Sequence, residues 1–251
     1  MTFDQSMSQV AATMGYTVEE LSDSTSKASQ NLNQLREFAQ EMGRTTAFSA
    51  TQAADALNYM ALAGYDADTS MQMLPTVLDL AAAGSMDLAQ ASDMVTDAQS
   101  ALGLSMEETF DMVNQMAMAS SKSNTSVEQL GDAMLKIGAT ARNVKGGTQE
   151  LATILGVLAD NGIKGTEGGT HLRNMLLSLQ QTTQGNYGKI LLVGPDEEKG
   201  IEEVSIALYD AEGNMRSMID VIQEMRGALG GMTQEEKDAI TSGIFNKTDT
   251  T

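Results

Sequence analysis

Apolar residues recur every three or four positions from the start of the chain, which is the spacing that lines one face of an α-helix. The first such stripe runs from Phe3 to Met14 and the second from Ala28 to Met42, and Gly43 follows where a helix would stop. Similar spacings continue through residue 179. The pattern predicts about ten to twelve helices of ordinary length.

Polar residues at fixed offsets mark where these helices begin. In a capping box, the hydroxyl of the residue before the helix accepts a hydrogen bond from the backbone N–H three residues later. The side chain of that later residue accepts in return from the backbone N–H of the first. Apolar segments that end in Gly64, Gly84, Gly103 and Gly162 have matching stop signals. The predicted boxes are Ser49 with Gln52, Ser105 with Glu108, Ser126 with Gln129 and Thr233 with Glu236, with Asp87 and Gln90 as a variant.

Part of the chain matches itself at a fixed offset. Ser49 aligns with Ser126, and 126 − 49 = 77. This offset is longer than the period of most repeat proteins and predicts a duplicated subdomain of about three helices, with coincidence in an Ala- and Leu-rich chain as the alternative. Identical pairs at this offset include Gln52 and Gln129, Asp55 and Asp132, Ala56 and Ala133, Leu74 and Leu151, Leu78 and Leu155, and Ala82 and Ala159.

The helical rhythm breaks between residues 184 and 216. Gly185, Gly188, Gly194 and Pro195 indicate a loop, and the segment from Val204 onward predicts a short strand followed by a turn. Two helices are predicted after it, at 217–229 and 233–245, and no closing element follows. We therefore expect this chain to be part of a longer one.

These elements predict an all-α fold, a compact multi-helix bundle with an internal duplication and a small β-hairpin or loop insertion near 184–216. We expect N-terminal helices at 1–46, a duplicated core at 47–183, the insertion at 184–216 and C-terminal helices at 217–251. Repeat 1 covers about 47–103 and repeat 2 about 124–180.

Charge and composition limit the classes of molecule that the chain is expected to bind. The 251 residues include 15 Lys and Arg against 34 Asp and Glu, a net charge of −19. Such a charge repels nucleic acid and anionic lipid, so a basic or partly apolar protein surface is the expected partner. No apolar run approaches the roughly 20 residues that span a bilayer. The chain has no cysteine for disulfides or thiol chemistry.

The sequence predicts no catalytic, cofactor-binding or metal-binding residue. His171 is the only histidine and has no cysteine to join it as a metal ligand. The glycine-rich stretch 162–170 lacks the order of a phosphate-binding loop and predicts a tight turn between helices, capped by Thr170. Acid pairs such as Glu107–Glu108 mostly fall in the first turn of a predicted helix. The Asp210–Asn214 segment matches a calcium loop only loosely.

Three stretches in order resemble one family. They are residues 46–65, residues 80–93 and residues 161–173, the last with the pattern G-x-x-G-x-x-G-G-T-x-L-R. They resemble the core region of phage tail tape measure proteins from siphophages and prophages of Gram-positive bacteria, and residues 210–216, 231–235 and 244–245 fit the downstream pattern. Residues 184–203 depart from it.

The resemblance implies a structural role and no enzymatic one. Such proteins are long, occupy the tail lumen, template tail length during assembly and leave the tail during DNA delivery. The implied partners are tail-tube, tail-tip or tail-assembly chaperone proteins and other copies of the chain. The implied location is the virion tail, and the host cytoplasm during assembly.

The expected helices also bear on how the chain acts. A fully helical rod of 251 residues would be roughly 375 Å long at about 1.5 Å per residue, but the glycine stops predict short helices that fold back on one another. We therefore expect a compact docking module, with tail length encoded elsewhere. The alternative is a stand-alone acidic helical adaptor or effector that binds a host protein.

Overall fold

The chain is predominantly helical. The computed structural model describes residues 1–183, 189–192 and 204–244, and over these the predicted all-α class is confirmed. The described helices number twelve: α1 (Phe3–Thr13), α2 (Val18–Ser22), α3 (Lys27–Thr45), α4 (Ala50–Leu62), α5 (Ala67–Gly84), α6 (Leu88–Leu102), α7 (Met106–Lys122), α8 (Val127–Ile137), α9 (Gly147–Asp160), α10 (Gly165–Thr182), α11 (Met218–Leu229) and α12 (Gln234–Ile244).

The chain divides into two compact units. The first contains Met1–Met118 and Ser126–Glu128, and the second contains Ala119–Thr125 and Gln129–Thr251. The four predicted segments, with boundaries at 46, 183 and 216, are not tested by this division and stay a prediction.

Helix α4 is the centre of the first unit. It packs against α1, α3, α5 and α6, because one of its faces is almost continuously apolar. The side chains of Leu57 and Met60 are fully buried on that face, together with Met7 of α1, Leu35 of α3 and Leu74 of α5. Burying such side chains contributes about 1.5–3 kcal/mol each.

Three predicted capping boxes are present. Ser49 accepts from the Gln52 N–H at 3.2 Å while Gln52 accepts from the Ser49 N–H at 2.9 Å. Ser105 with Glu108 and Thr233 with Glu236 do the same. Helix α8 begins directly after Ser126, as predicted.

One of the two helix ends predicted at Gly43 and Gly84 is wrong. Helix α3 continues through Gly43 to Thr45. A Cβ at Gly43 would lie 2.4 Å from the Ala50 backbone nitrogen, so this glycine allows the start of α4 to approach α3 closely and does not end the helix. Helix α5 ends at Gly84 as predicted, and Ser85 directly after it takes the left-handed conformation, with φ 51°.

The variant box at the start of α6 is also wrong. The Asp87 carboxylate accepts from the Ala89 N–H at 2.8 Å, so it caps the helix alone. The Gln90 side chain donates instead to Glu128. The short helix α2, with a box of Thr17 and Glu20, was not predicted.

The second unit holds α8 from Gln129 onward, helices α9 to α12, a 3₁₀ turn at Gly138–Asn143 and a two-stranded antiparallel ribbon. Strand β1 (Lys189–Leu192) pairs with β2 (Val204–Ala207), and Ile190 lies opposite Ile206. Strand β2 confirms the strand predicted from Val204, and the ribbon lies within the small insertion predicted near 184–216, whereas β1 falls where a loop was predicted. Residues 184–188 and 193–203, where the loop glycines and Pro195 fall, lie outside the described residues.

Helix positions in the two predicted repeats partly correspond. Helices α4 and α8 begin 77 residues apart (127 − 50), and so do α6 and α10 (165 − 88). A Cβ at Gly169 of α10 would lie 2.3 Å from the Ala133 carbonyl oxygen of α8. The residues 77 positions earlier, Ser92 and Ala56, are both buried on α6 and α4, which pack together.

Other positions differ between the repeats. Helices α5 and α9 begin 80 residues apart (147 − 67). Ala82 is exposed, whereas Ala159 at the same offset is buried. The internal duplication therefore stays a prediction.

Candidate interaction surface

The single histidine is in a local contact. His171 lies in the second turn of α10, and its Nε2 is 3.9 Å from the Glu167 carboxylate one turn earlier. Among the described residues there is no cluster of three or more His, Cys, Asp or Glu side chains that could hold a metal ion. The geometry around His171 is that of an ordinary pair across one helical turn.

The glycine-rich stretch is a helix connection. Gly162 and Gly165 adopt positive φ angles of 92° and 56°, which glycine allows without a steric cost. The prediction that Thr170 caps the following helix is wrong. Helix α10 already begins at Gly165, and the Thr170 hydroxyl donates to the Thr166 carbonyl at 2.7 Å within it.

Paired acids at helix starts serve as caps. The Glu108 carboxylate accepts from the backbone and side chain of Ser105, and these hydrogen bonds lower the pKa of Glu108 below its ordinary value of 4.5. Glu20 is bonded to Thr17 in the same way, with the same effect on its pKa. These carboxylates stabilise helix N-termini, where their charge is favourable.

The segment from Asp210 to Asn214 is a tight turn. The Asp210 carboxylate accepts from the backbone N–H groups of Asn214 at 2.8 Å and Glu212 at 3.1 Å, and Lys145 lies 3.5 Å away. The hydrogen bond from Asn214 is the largest cause of a lowered Asp210 pKa. The Asp210 carboxylate is thus committed to the turn.

A buried carboxylate joins distant parts of the second unit. Glu150, in the first turn of α9, is only 5% exposed. Its Oε1 accepts from the Ser217 hydroxyl at 2.6 Å and the Ile219 N–H at 2.8 Å, and its Oε2 accepts from the Gly146 N–H at 3.1 Å. This role of Glu150 was not predicted, since an acid in a first turn is normally solvated and no sequence signal indicates its burial.

Arg216 makes a second connection beside this one. Its guanidinium donates to the Ala207 carbonyl of β2 at 2.9 Å and pairs with the Glu224 carboxylate of α11. The pair lowers the pKa of Glu224 and raises that of Arg216. Together, Glu150 and Arg216 fix the start of α11 to helix α9 and to the ribbon.

A polar depression of about 640 Å³ lies near the Asp210 turn. Arg142, Lys145 and Tyr209 are among its lining residues. Lys145 is already paired with Asp210, and Arg142 also has an interaction within the chain. Both cations therefore already have contacts within the fold.

A second depression, which we call the α10–α12 groove, is apolar with a cationic rim. It measures about 520 Å³, and no acidic residue of the described chain lines it. Its apolar lining comes mainly from α11. The groove is lined by Met175, Ile222, Met225, Leu229 and Gly230, with Arg226 and Lys237 as its charged members.

Known proteins match most of the chain. The tape measure protein of Pneumococcus phage Dp-1 is 30% identical over 236 residues, which make up 94% of this chain and 19% of that protein. The probable tape measure protein of Escherichia phage P2 is 26% identical over 227 residues, 90% of this chain and 25% of that protein. The chain thus spans about a fifth to a quarter of these relatives' length. No solved structure matches.

The family comparison agrees with the resemblance drawn from residues 46–65, 80–93 and 161–173. The model of the phage-related minor tail protein family matches residues 36–246, which include all three stretches. Because this match covers far more than half of the chain, the chain belongs to the family of phage-related minor tail proteins.

Proposed function

We propose that this chain is a structural segment of a phage tail tape measure protein and acts in tail assembly and length determination through protein–protein contacts. The observation that carries the proposal is the match to two proteins named as tape measure proteins over 94% and 90% of the chain. Family membership favours this role over a stand-alone adaptor for a host protein. The proposal assigns the chain no catalytic step.

The surface chemistry supports contacts with proteins rather than with DNA. A net charge of −19 opposes binding to a phosphate backbone, so lumenal DNA is not the proposed partner. The proposed partners are tail-tube, tail-tip or assembly-chaperone proteins. No described helix has the length and apolar content to cross a bilayer.

The helix lengths support a docking role for this segment. The longest described helix, α3, has 19 residues and is about 28 Å long at 1.5 Å per residue. A compact unit of about 120 residues has a radius of gyration of about 14 Å. Two such units account for far less length than a rod of roughly 375 Å, so we propose that length is encoded in other parts of the protein.

Two experiments test these statements separately. Cross-linking mass spectrometry on purified virions should detect this segment in the tail and join its lysines to tail proteins, and its absence from virions would refute the tail location. Small-angle scattering of the 251-residue chain should give a radius of gyration below about 40 Å, whereas a rod would give about 110 Å. The larger value would refute the compact module and leave the tail location untouched.

A further inference from the structure

The α10–α12 groove combines features that suit a helical partner. Met225 forms a buried part of its lining, while Ile222 is 36% exposed. Methionine side chains adapt their shape to a partner, and apolar grooves commonly receive the apolar face of an amphipathic helix. Ile222 and Leu229 lie seven residues apart on α11, about 10 Å along the helix axis.

The charge of the groove restricts the partner further. Arg226 and Lys237 lie at it, and neither side chain makes an ion pair with any described residue. In a chain with only 15 basic residues against 34 acidic ones, this is a cationic site on an acidic protein. A fitting helix carries apolar side chains flanked by carboxylates.

Helix α7 presents such a face. Phe110 is 42% exposed and Met118 is 53% exposed, while Thr109, Met112, Val113 and Met116 on the other side are buried. Phe110 and Met118 are eight residues apart, about 12 Å along the axis, which is close to the roughly 10 Å between Ile222 and Leu229 on α11. Glu107 and Asp111 flank Phe110 and are exposed. We call Phe110, Met118, Glu107 and Asp111 the α7 ridge.

We infer that the α10–α12 groove of one copy of this chain receives the α7 ridge of a second copy. The ridge and the groove are different surfaces, so the contact is heterologous and can continue from copy to copy into a ring or an open chain. The inference does not rest on the tail role, because purified chains either associate in this way or do not.

The contact is expected to be weak in solution. A single short helix in a groove buries less than the roughly 1,200 Å² of a standard interface, and copies of charge −19 repel one another. We expect a dissociation constant on the order of 10–100 µM. Copies held side by side by other contacts would associate more readily, because their effective concentration is higher.

Sedimentation analysis of the 251-residue chain tests the inference. At about 0.15 M salt, the average mass should rise above that of the monomer as the concentration increases, towards a closed ring or an open chain. Ile222→Glu in the groove and Phe110→Ser on the ridge should each weaken association at least tenfold. Val157→Ser is the matched control, because Val157 is 58% exposed and belongs to neither surface.

A charge exchange tests the pairing itself. Arg226→Glu with Lys237→Glu should weaken association, and so should Glu107→Lys with Asp111→Lys. The chain with all four changes should associate again, since each copy then presents the reversed charges on both surfaces. Circular dichroism checks that every variant is folded. If Ile222→Glu does not fold, the charge variants still test the contact, because they change side chains that are at least partly exposed.

Three results would overturn the inference. The first is a wild-type chain that stays monomeric up to about 500 µM, well above the expected dissociation constant. The second is association that survives both Ile222→Glu and Phe110→Ser unchanged. The third is a four-fold charge variant that fails to recover, which would assign the groove to a different acidic helix.

Discussion

Glu150 and Ser217 are 67 residues apart in the sequence and are joined by a hydrogen bond of 2.6 Å. The same carboxylate accepts from the N–H of Ile219 in the first turn of α11. A buried carboxylate is costly unless it is hydrogen-bonded, and here three donors satisfy it. Glu150 therefore serves as the cap that fixes α11, and with it one wall of the α10–α12 groove, to helix α9.

Removal of this carboxylate should destabilise the second unit. Glu150→Ala leaves the Ser217 hydroxyl and two backbone N–H groups without their acceptor, and we expect a loss of about 3 kcal/mol in the free energy of unfolding. Ser217→Ala should cost about 1 kcal/mol, because Ser217 also caps α11. Urea unfolding followed by circular dichroism measures both. If the losses in the double variant simply add, the two residues are not coupled as described.

Close packing of two helices at Gly169 should not tolerate a methyl group. A Cβ there would lie 2.3 Å from the Ala133 carbonyl oxygen, so Gly169→Ala forces α10 and α8 apart and should cost about 1–3 kcal/mol. Gly243→Ala in α12 is the matched control, since a Cβ there would have no atom of the described residues within 4 Å. The free energy of unfolding of this control should rise by about 0.5–1 kcal/mol, because alanine favours a helix more than glycine does. Equal effects of the two changes on thermal unfolding would contradict the close approach.

Three buried serines are expected to lower the stability of the first unit. The hydroxyl oxygens of Ser6, Ser70 and Ser92 are buried and have no hydrogen-bond partner among the described residues. Replacing each by Ala should raise the free energy of unfolding by about 1 kcal/mol, because a desolvated polar group is removed. Thr109→Val is the control and should not stabilise, since the Thr109 hydroxyl donates to the Ser105 carbonyl at 2.7 Å. Chemical unfolding of all four variants distinguishes the cases.

Acid should loosen the start of α7. The pKa of Glu108 is lower in the folded chain than its ordinary 4.5, so its contribution to stability is present above about pH 4.5 and is lost as the pH falls through the folded value. Carboxyl titration by NMR should place the Glu108 pKa below 4.5, and Ser105→Ala should raise it towards 4.5. Glu108→Gln keeps a side-chain acceptor for the capping box but removes the titration. A Glu108 pKa unaffected by Ser105→Ala would refute the assigned cause.

The helices could be predicted because their signals are local. The capping boxes at Ser49, Ser105 and Thr233 need only residues three positions apart, and the apolar stripes from Phe3 and Ala28 need only one helix each. The left-handed ends at Gly64, Gly103 and Gly162 likewise depend on a single residue. The helical class followed from these signals alone.

Features that depend on tertiary contacts could not be predicted. Gly43 has the sequence signature of a helix end, but the approach of Ala50 decides its role. Glu150 has the sequence signature of a solvated first-turn acid, yet it accepts a hydrogen bond from Ser217, which is 67 residues later in the sequence. The α10–α12 groove combines side chains from three helices, and no periodicity in one helix indicates which cations will border it.

Electron microscopy of phage tails that lack this segment tests most directly whether it acts in tail assembly as a compact module. An in-frame deletion of residues 1–251, made in the phage that encodes the chain, is compared with the parent phage. We predict a lower yield of assembled tails, with any tails that form shortened by much less than roughly 375 Å, the length of a helical rod of 251 residues. Normal yield at unchanged length would contradict the assembly role, and shortening by the full rod length would contradict the compact module.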